Sequence, residues 1–295
     1  MTAASDRLLR RLEWQVVRRL DGRLQGAYRT AWRGVGIDFT DLRAYTPEDD
    51  VRHIDWNVSA RMDETFVRQY TEERDLTAWL VLDRSASMRG GTARQGKDSA
   101  LSELAIVLAR LLSQNGNRVG AVLFDNDRQR VISPRTGRSQ ALRLAHELDR
   151  PEPAGGPGTT TDLAAMLRLA ATTASRRGLV FVLSDFIGDP GWERALAMLA
   201  HRHEVVTVRI VDPAELDLPD MGLVFVEDAE TGEQILVDTS DPLLRQRLRA
   251  EVWSREVALT ETMRQAGVTA HRITTDQDLV AALVGMVRQS GRRSR

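Results

Sequence analysis

The sequence predicts an α/β protein with a three-layer, doubly wound and mostly parallel sheet, and three observations support this. From residue 77, short apolar runs typical of strands alternate with amphipathic stretches typical of helices. The first run, Ala78 to Leu82, has no polar interruption, as expected for a strand that helices cover on both faces. Polar residues follow two of the runs, Asp83 after the first and Ser184-Asp185 after a later one. Repeated strand–helix units favour a parallel sheet between two layers of helices.

Each later element follows from its own pattern. Helices are predicted where apolar residues recur every three or four positions, at residues 98–114, 139–148, 162–176, 192–199, 241–265 and 278–288. Strands are predicted where apolar residues are consecutive or alternate, at residues 118–124, 130–132, 179–183, 204–210, 223–226, 234–237 and 269–273. Pro and Gly in residues 151–158 predict a loop, and residues 230–233 predict the turn of a hairpin.

The first part of the chain lacks the strand–helix alternation that begins at residue 77, so the sequence predicts three regions. Residues 1–74 form an N-terminal segment, residues 75–290 the main domain, and residues 291–295 a loose basic tail. Within the N-terminal segment, a helix is predicted to begin at Ser5, because four apolar residues share one stripe: Leu8, Leu12, Val16 and Leu20. Residues 38–70 are short and strand-like.

Composition excludes several kinds of protein. The 295 residues contain no cysteine, which excludes disulfides, zinc–thiolate sites and cysteine nucleophiles. A formal net charge of -1 argues against a general nucleic-acid-binding protein, which usually has a clear basic excess. The N-terminus lacks the apolar core of a signal peptide, and no apolar run reaches the roughly 20 residues of a membrane helix. We therefore expect a cytoplasmic protein with no nucleic-acid partner and no membrane span.

Polar residues gather where strands of the predicted sheet end. Asp83, Ser85 and Ser87 alternate directly after the first strand. Asp185 follows a later buried strand, and a Gly-rich loop that contains Thr161 lies between these two positions in the sequence. The carboxyl ends of parallel strands meet at one edge of the sheet, where such sheets bind ligands, so these side chains can converge.

These oxygen-bearing side chains predict a metal site. Hydroxyl and carboxylate oxygens suit magnesium, calcium or manganese, of which we expect magnesium, and no soft ligand is present. Three of the five oxygen ligands would be uncharged hydroxyls, so the cation could still bind one more oxygen, and an acidic side chain of a protein partner could supply it. By itself, the Asp83-x-Ser85-x-Ser87 pattern could also be a helix cap. The later Thr161 and Asp185 favour the metal site.

The pattern resembles the metal-ion-dependent adhesion site of von Willebrand factor A-type domains. The resemblance implies that Ser85, Ser87 and Thr161 contact the metal directly. It also implies that Asp83 and Asp185 act mainly through bound waters. Two further threonines directly precede Thr161, and the spacing to the following helix favours Thr161 among the three.

Longer motifs resemble the bacterial domain of unknown function 58 family. They are Gly34-x-Gly36-x-Asp38-Phe39-x-x-Leu42-Arg43-x-Tyr45, Asp50-x-Arg52-x-Ile54-Asp55-Trp56, Ser59-Ala60-Arg61 and Glu230-Thr231-Gly232-Glu233 with Val237-Asp238-Thr239. Glu48 departs from the Gly more usual in that family's Pro-Gly-Asp turn. The resemblance covers most of the chain. It implies a non-enzymatic interaction protein, an adaptor or co-chaperone that acts with a MoxR-type AAA+ ATPase in assembling or activating other proteins.

An alternative function is a magnesium-dependent nucleotide-binding hydrolase. Gly91-x-x-x-x-Gly96-Lys97 nearly matches a phosphate-binding loop, but Asp98 stands where that loop needs Ser or Thr. The first Gly also comes well after Asp83 rather than directly after the strand. We therefore interpret Lys97 as a surface residue at the start of a helix.

A second group of residues lies in the N-terminal segment. It comprises Arg43, Arg52, Asp55, Trp56 and Arg61. One interpretation is a docking surface for a partner. The other is an ion-pair and stacking network that holds the segment against the main domain, because Arg stacks well on aromatic rings.

Overall fold

The computed structural model describes most of the chain from residue 36 onward. The described residues are 36–46, 51, 54–62, 64–73, 76–89, 96–114, 116–126, 128–150, 160–228, 231–279, 281–283 and 285–286. They form two compact units, which divide between Leu76 and Thr77. The predicted helix at the N-terminus and the basic tail lie outside the described residues.

The smaller unit is built on an antiparallel pair of strands. Strand β1 (Gly36–Ala44) pairs with β2 (Phe66–Glu73), and the short helix α1 (Trp56–Ser59) lies between them in sequence. Asp55 caps α1, because its carboxylate accepts hydrogen bonds from the backbone N–H groups of the first turn. The strands at both ends of the predicted residues 38–70 agree with the prediction, whereas the helix α1 between them was not predicted.

The main unit contains the remaining strands. They are β3 (Thr77–Asp83), β4 (Arg118–Asp125), β5 (Arg128–Arg135), β6 (Leu179–Ser184), β7 (Glu204–Val211), β8 (Leu223–Glu227), β9 (Gln234–Asp238) and β10 (Thr269–Thr274). Six of them form one sheet in the order β10-β7-β6-β3-β4-β5. All neighbours in this sheet are parallel except β4 and β5. The predicted mostly parallel sheet is therefore confirmed.

Helices cover both faces of this sheet. They are α2 (Ala86–Arg89), α3 (Lys97–Gln114), α4 (Arg138–Leu148), α5 (Leu163–Thr173), α6 (Glu193–Arg202), α7 (Pro213–Leu216) and α8 (Pro242–Gln265). On one face, Trp79 and Val81 of β3 pack in a core with residues of α5, α6 and α8. Helix α3 contacts β3 and β4, and α4 packs against α3. Since successive residues of a strand point to opposite faces, the buried Leu80 and Leu82 face the other helical layer.

Several elements differ from the predictions in detail. The short helices α2 and α7 were not predicted, and β5 is longer than the predicted residues 130–132. The described residues between 279 and 286 are helical, in agreement with the predicted last helix. Among the helices of the described ranges, none has both the length and the apolar character needed to cross a membrane.

Strands β8 and β9 form a separate antiparallel hairpin. The register places Phe225 opposite Leu236 and Leu223 opposite Asp238. Phe225 is 75% exposed and Leu223 is 69% exposed, so the apolar side chains of one face lie in solvent. The hairpin therefore adds little to the core.

Candidate metal centre

Two buried carboxylates lie at the carboxyl edge of the sheet. Asp83 is the last residue of β3, and Asp185 follows the last residue of β6. Because β3 and β6 pair in parallel with Leu82 beside Leu183, the ends of the two strands lie side by side. The Ser184 hydroxyl donates to Asp83 Oδ2 at 2.5 Å and joins them.

The loop after β3 brings two hydroxyls together. The backbone N–H of Ser85 donates to Asp83 Oδ1 at 3.0 Å, which turns the chain at the end of the strand. Helix α2 then begins at Ala86, and the hydroxyl oxygens of Ser85 and Ser87 lie 3.1 Å apart. Both side chains are buried. The structure thus brings Asp83, Ser85 and Ser87 into one cluster.

Thr161 belongs to a segment that two loops hold in place. Asn126, after β4, donates to the carbonyl of Thr160 at 2.6 Å and accepts from the backbone N–H of Asp162 at 3.0 Å. The backbone N–H of Asp189, after β6, donates to the carbonyl of Thr161 at 3.0 Å. Since β3 lies between β4 and β6, this segment crosses the end of β3. Thr161 is buried there.

Asp185 is bound by a lysine that the sequence analysis placed at the surface. Asp185 Oδ1 accepts from the backbone N–H of Ile187 at 3.0 Å, and Oδ2 accepts from Lys97 Nζ at 2.8 Å. The same Nζ lies 2.5 Å from Glu215 Oε1, which belongs to α7. Lys97 does start α3, but it is only 1% exposed, so the interpretation as a surface residue is wrong. The two carboxylates compensate the buried ammonium.

The charge of Lys97 is maintained by these partners. Burial by itself lowers the pKa of the ammonium, because an apolar environment disfavours the charged form. The carboxylates of Asp185 and Glu215 outweigh that effect and raise the pKa of Lys97 above its ordinary value. The lysine is therefore a fixed positive charge between the loops that follow β6 and β7.

Asp83 has the opposite electrostatic problem. Burial, together with the negative charge of Asp185, raises the pKa of Asp83 to about 7. Hydrogen bonds from Ser184 and Ser85 oppose the rise only in part. A nearby cation favours the ionised form of a carboxyl group, so Asp83 lies where a positive charge would stabilise it.

The residues present fit a hard divalent cation. The donors that converge beside Asp83 are oxygens, which magnesium, manganese and calcium prefer. Within the described ranges, no group of three or more His, Asp or Glu residues has the arrangement of a metal cage. Ligation at this edge would therefore depend on the hydroxyls of Ser85, Ser87 and Thr161 as well as on carboxylates.

Three participants were missed by sequence reasoning. Ser184 could have been found, because it directly precedes Asp185 at the end of a buried strand. Lys97 and Glu215 could not, because their proximity to Asp185 depends on the order of strands in the sheet. Gly91, the first glycine of the loop resembling a phosphate site, lies outside the described residues.

The N-terminal group is only partly described. Asp55 is the cap of α1, and Trp56 is 68% exposed. Arg61 is also exposed, whereas Arg52 and the side chain of Arg43 lie outside the described residues. Its two interpretations, docking surface and stacking network, remain predictions.

Comparisons with known proteins identify a family and several similar chains. The family described as protein of unknown function DUF58 matches residues 41–258 of the chain. An uncharacterized protein of Mycobacterium tuberculosis is 34% identical over 279 residues, which are 95% of this chain and 87% of that protein. The match to the solved structure of BatB, a conserved hypothetical protein of Bacteroides thetaiotaomicron, covers 74% of this chain and 99% of the BatB chain. The sequence identity is 16% and the TM-score is 0.47. The VWA domain of SpRpn10 covers 72% of this chain and 94% of its own, with 13% identity and a TM-score of 0.39.

Proposed function

This chain belongs to the DUF58 family of proteins of unknown function, and we propose that it is a non-enzymatic protein-interaction protein that depends on a divalent cation. The observation that carries the proposal is the buried cluster of Asp83, Ser85 and Ser87 beside Asp185 at the carboxyl edge of the sheet. Buried polar groups from distant parts of a chain, gathered at that edge, mark a ligand site.

In this proposal the three hydroxyls of Ser85, Ser87 and Thr161 bind magnesium directly, and Asp83 and Asp185 act through water. The bound cation supplies a Lewis-acidic position that an acidic side chain of the partner can occupy. Asp83 contributes negative charge, which burial and Asp185 make costly without a cation. Asp185, which accepts a hydrogen bond from Lys97, adds a second negative charge at the end of the neighbouring strand.

The partner we propose is a MoxR-type AAA+ ATPase, with which the protein acts in assembling or activating other proteins. This follows from the family resemblance of the N-terminal motifs. The exposed apolar residues of the hairpin also support an interaction role, because clusters of this kind mark protein contacts.

Melting temperature tests the metal. Magnesium or manganese should raise the melting temperature of the wild type, because a ligand of the folded state stabilises it. The substitutions Asp83→Ala and Asp185→Ala should abolish that rise. Asp276→Ala is the matched control, since this exposed carboxylate follows β10 near the same edge of the sheet and binds Thr274. An equal rise in all four proteins would show that the metal binds elsewhere.

Binding tests the interaction. A purified MoxR-type ATPase from the same organism should bind the wild type in magnesium and dissociate in chelator. Asp83→Ala should bind weakly under both conditions. Robust hydrolysis of ATP by the protein alone, lost in a Lys97→Ala variant that remains folded, would instead favour the nucleotide hydrolase.

A further inference from the structure

We propose that Lys97 is a positioning residue that holds Asp185 out of direct contact with the cation and thereby weakens cation binding by the free protein. The inference rests on the proposed function, since it concerns the same site. It adds a residue that the metal-site pattern does not contain. Its consequence is that a partner's acidic side chain must supply part of the binding free energy.

The hydrogen bonds of Asp185 support this role of Lys97. Lys97 Nζ lies 2.8 Å from Oδ2, and the backbone N–H of Ile187 lies 3.0 Å from Oδ1. Both oxygens of the carboxylate therefore already accept a hydrogen bond from the protein. Each oxygen keeps a second lone pair, but a cation bound directly to Asp185 would lie close to the Lys97 ammonium and be repelled by it. A water molecule between Asp185 and the cation keeps the two positive charges further apart, which favours indirect contact.

Burial makes this arrangement persistent. Lys97 is 1% exposed and Asp185 is 1% exposed, so neither side chain can turn to solvent instead. Glu215 Oε1 lies 2.5 Å from the same Nζ and opposes any shift of the ammonium toward the cation. Glu215 itself is held in α7 by a capping box with Asp212, which fixes the lysine from its other side.

The charges of the groups around Lys97 also support this role. Asp83, Asp185 and Glu215 carry three negative charges when ionised, and Lys97 carries one positive charge. Their sum is -2, which one divalent cation balances. Removing the lysine leaves -3 at the edge and frees Oδ2, so cation binding should strengthen. Neutralising Glu215 leaves -1 and gives Lys97 to Asp185 alone, so cation binding should weaken.

The test measures the dissociation constant of manganese alone, by electron paramagnetic resonance of the free ion, for the full chain and its variants. Lys97→Met should bind manganese about ten-fold more tightly than the wild type, as expected when a charge close to the site is removed. Glu215→Gln should bind it about three-fold more weakly. Arg264→Met is the control, because it removes an exposed positive charge that pairs with Glu261 on α8. Its dissociation constant should change by about two-fold or less.

The outcomes separate this inference from the proposed function. Opposite shifts in Lys97→Met and Glu215→Gln support the inference, since loss of fold alone would weaken binding in both. Should Lys97→Met fail to fold, the weaker binding of Glu215→Gln, measured against Arg264→Met, carries the test. If the wild type binds manganese and neither Lys97→Met nor Glu215→Gln changes the dissociation constant, the role of Lys97 is overturned. The proposed metal site is then retained. Absence of manganese binding by the wild type overturns both.

Discussion

The carboxyl edge of the sheet and the β8–β9 hairpin depart from the usual distribution of residues in opposite directions. At the edge, charged and hydroxyl side chains are buried, and Asp83 and Ser184 are fully so. In the hairpin, Phe225 and Leu236 lie in solvent, 75% and 56% exposed. An exposed apolar residue by itself is ordinary, but buried charge and clustered apolar exposure both indicate a role other than folding.

The comparison separates two ways in which a fold supports function. Residues at the edge are coupled, because Asp83 depends on Ser184 of the neighbouring strand and Asp185 depends on Lys97 of α3. Residues of the hairpin face depend on few neighbours. Substitutions at the edge should therefore lower the free energy of unfolding strongly, and substitutions in the hairpin should change it little. Four predictions test this contrast.

The largest effect is expected from breaking the buried pair. Without added metal, Lys97→Met should lower the free energy of unfolding by about 3–5 kcal/mol, because it leaves Asp185 buried without its counter-charge. Urea denaturation measures this loss. Arg264→Met removes an exposed cation that pairs with Glu261 on the same helix and should leave stability unchanged. Equal stability of Lys97→Met and the wild type would contradict the coupling at the edge.

The hairpin gives the second contrast, between two phenylalanines. Phe181, in β6, is fully buried, and Phe181→Ala should cost about 3–5 kcal/mol through the cavity it leaves. Phe225→Ala should change the free energy of unfolding by no more than about 0.5 kcal/mol. The same denaturation curves give both values. A large loss in Phe225→Ala would mean that the hairpin face is packed in solution.

A third prediction concerns Gly188, in the loop after β6. A Cβ atom there would lie closer to the carbonyl oxygen of Thr161 than Cβ atoms approach any backbone atom. Gly188→Ala should therefore cost about 2 kcal/mol, as overpacking does, and should also reduce the magnesium-induced rise in melting temperature. Gly285→Ala is the control, because a Cβ at that helical position meets no atom within 4 Å. An unchanged response to magnesium in Gly188→Ala would remove Thr161 from the site.

The smallest effect is a pH dependence that originates at Asp83. Its pKa in the folded protein is about 7, above its ordinary value of 3.8, so the unfolded chain gives up this proton first. The stability that Asp83 contributes is therefore complete below its ordinary pKa and is lost as the pH rises through 7. Between about pH 6 and 7.5, the metal-free wild type should lose about 1 kcal/mol relative to Asp83→Asn.

Measurement at several magnesium concentrations sharpens this result. A cation favours ionised Asp83, so saturating magnesium should reduce the loss in the wild type and leave Asp83→Asn unaffected. Parallel pH profiles for the two metal-free proteins would show that Asp83 does not titrate in this range.

Much of the fold could be predicted because its signals are local. Ala78 to Leu82 reads as a buried strand, and Asp83 and Asp185 sit at strand ends whatever the order of the sheet. The spatial order could not be predicted, since β7 and β6 lie on one side of β3 and β4 on the other. That order alone brings Lys97 between Asp185 and Glu215.

Local signals could also be overlooked. Asp212, Pro213 and Glu215 form a capping box with Pro in the first turn, which predicts a helix start. The helix is only four residues long and carries no apolar periodicity, so pattern reasoning missed α7. Glu215 was therefore missed as well, and its carboxylate is one of the two that allow Lys97 to be buried.

The polar network at the sheet edge joins positions that are far apart along the chain. The hydrogen bond between Ser184 and Asp83 spans 101 residues, and the one between Lys97 and Glu215 spans 118. Closing such long loops costs conformational entropy, and buried charges can pair only once the surrounding strands and helices have packed, so we expect these hydrogen bonds to form after the rate-limiting step of folding. Interactions that form so late slow unfolding and hardly change the folding rate. Strengthening this edge should therefore lengthen the lifetime of the native state without making the protein fold any faster.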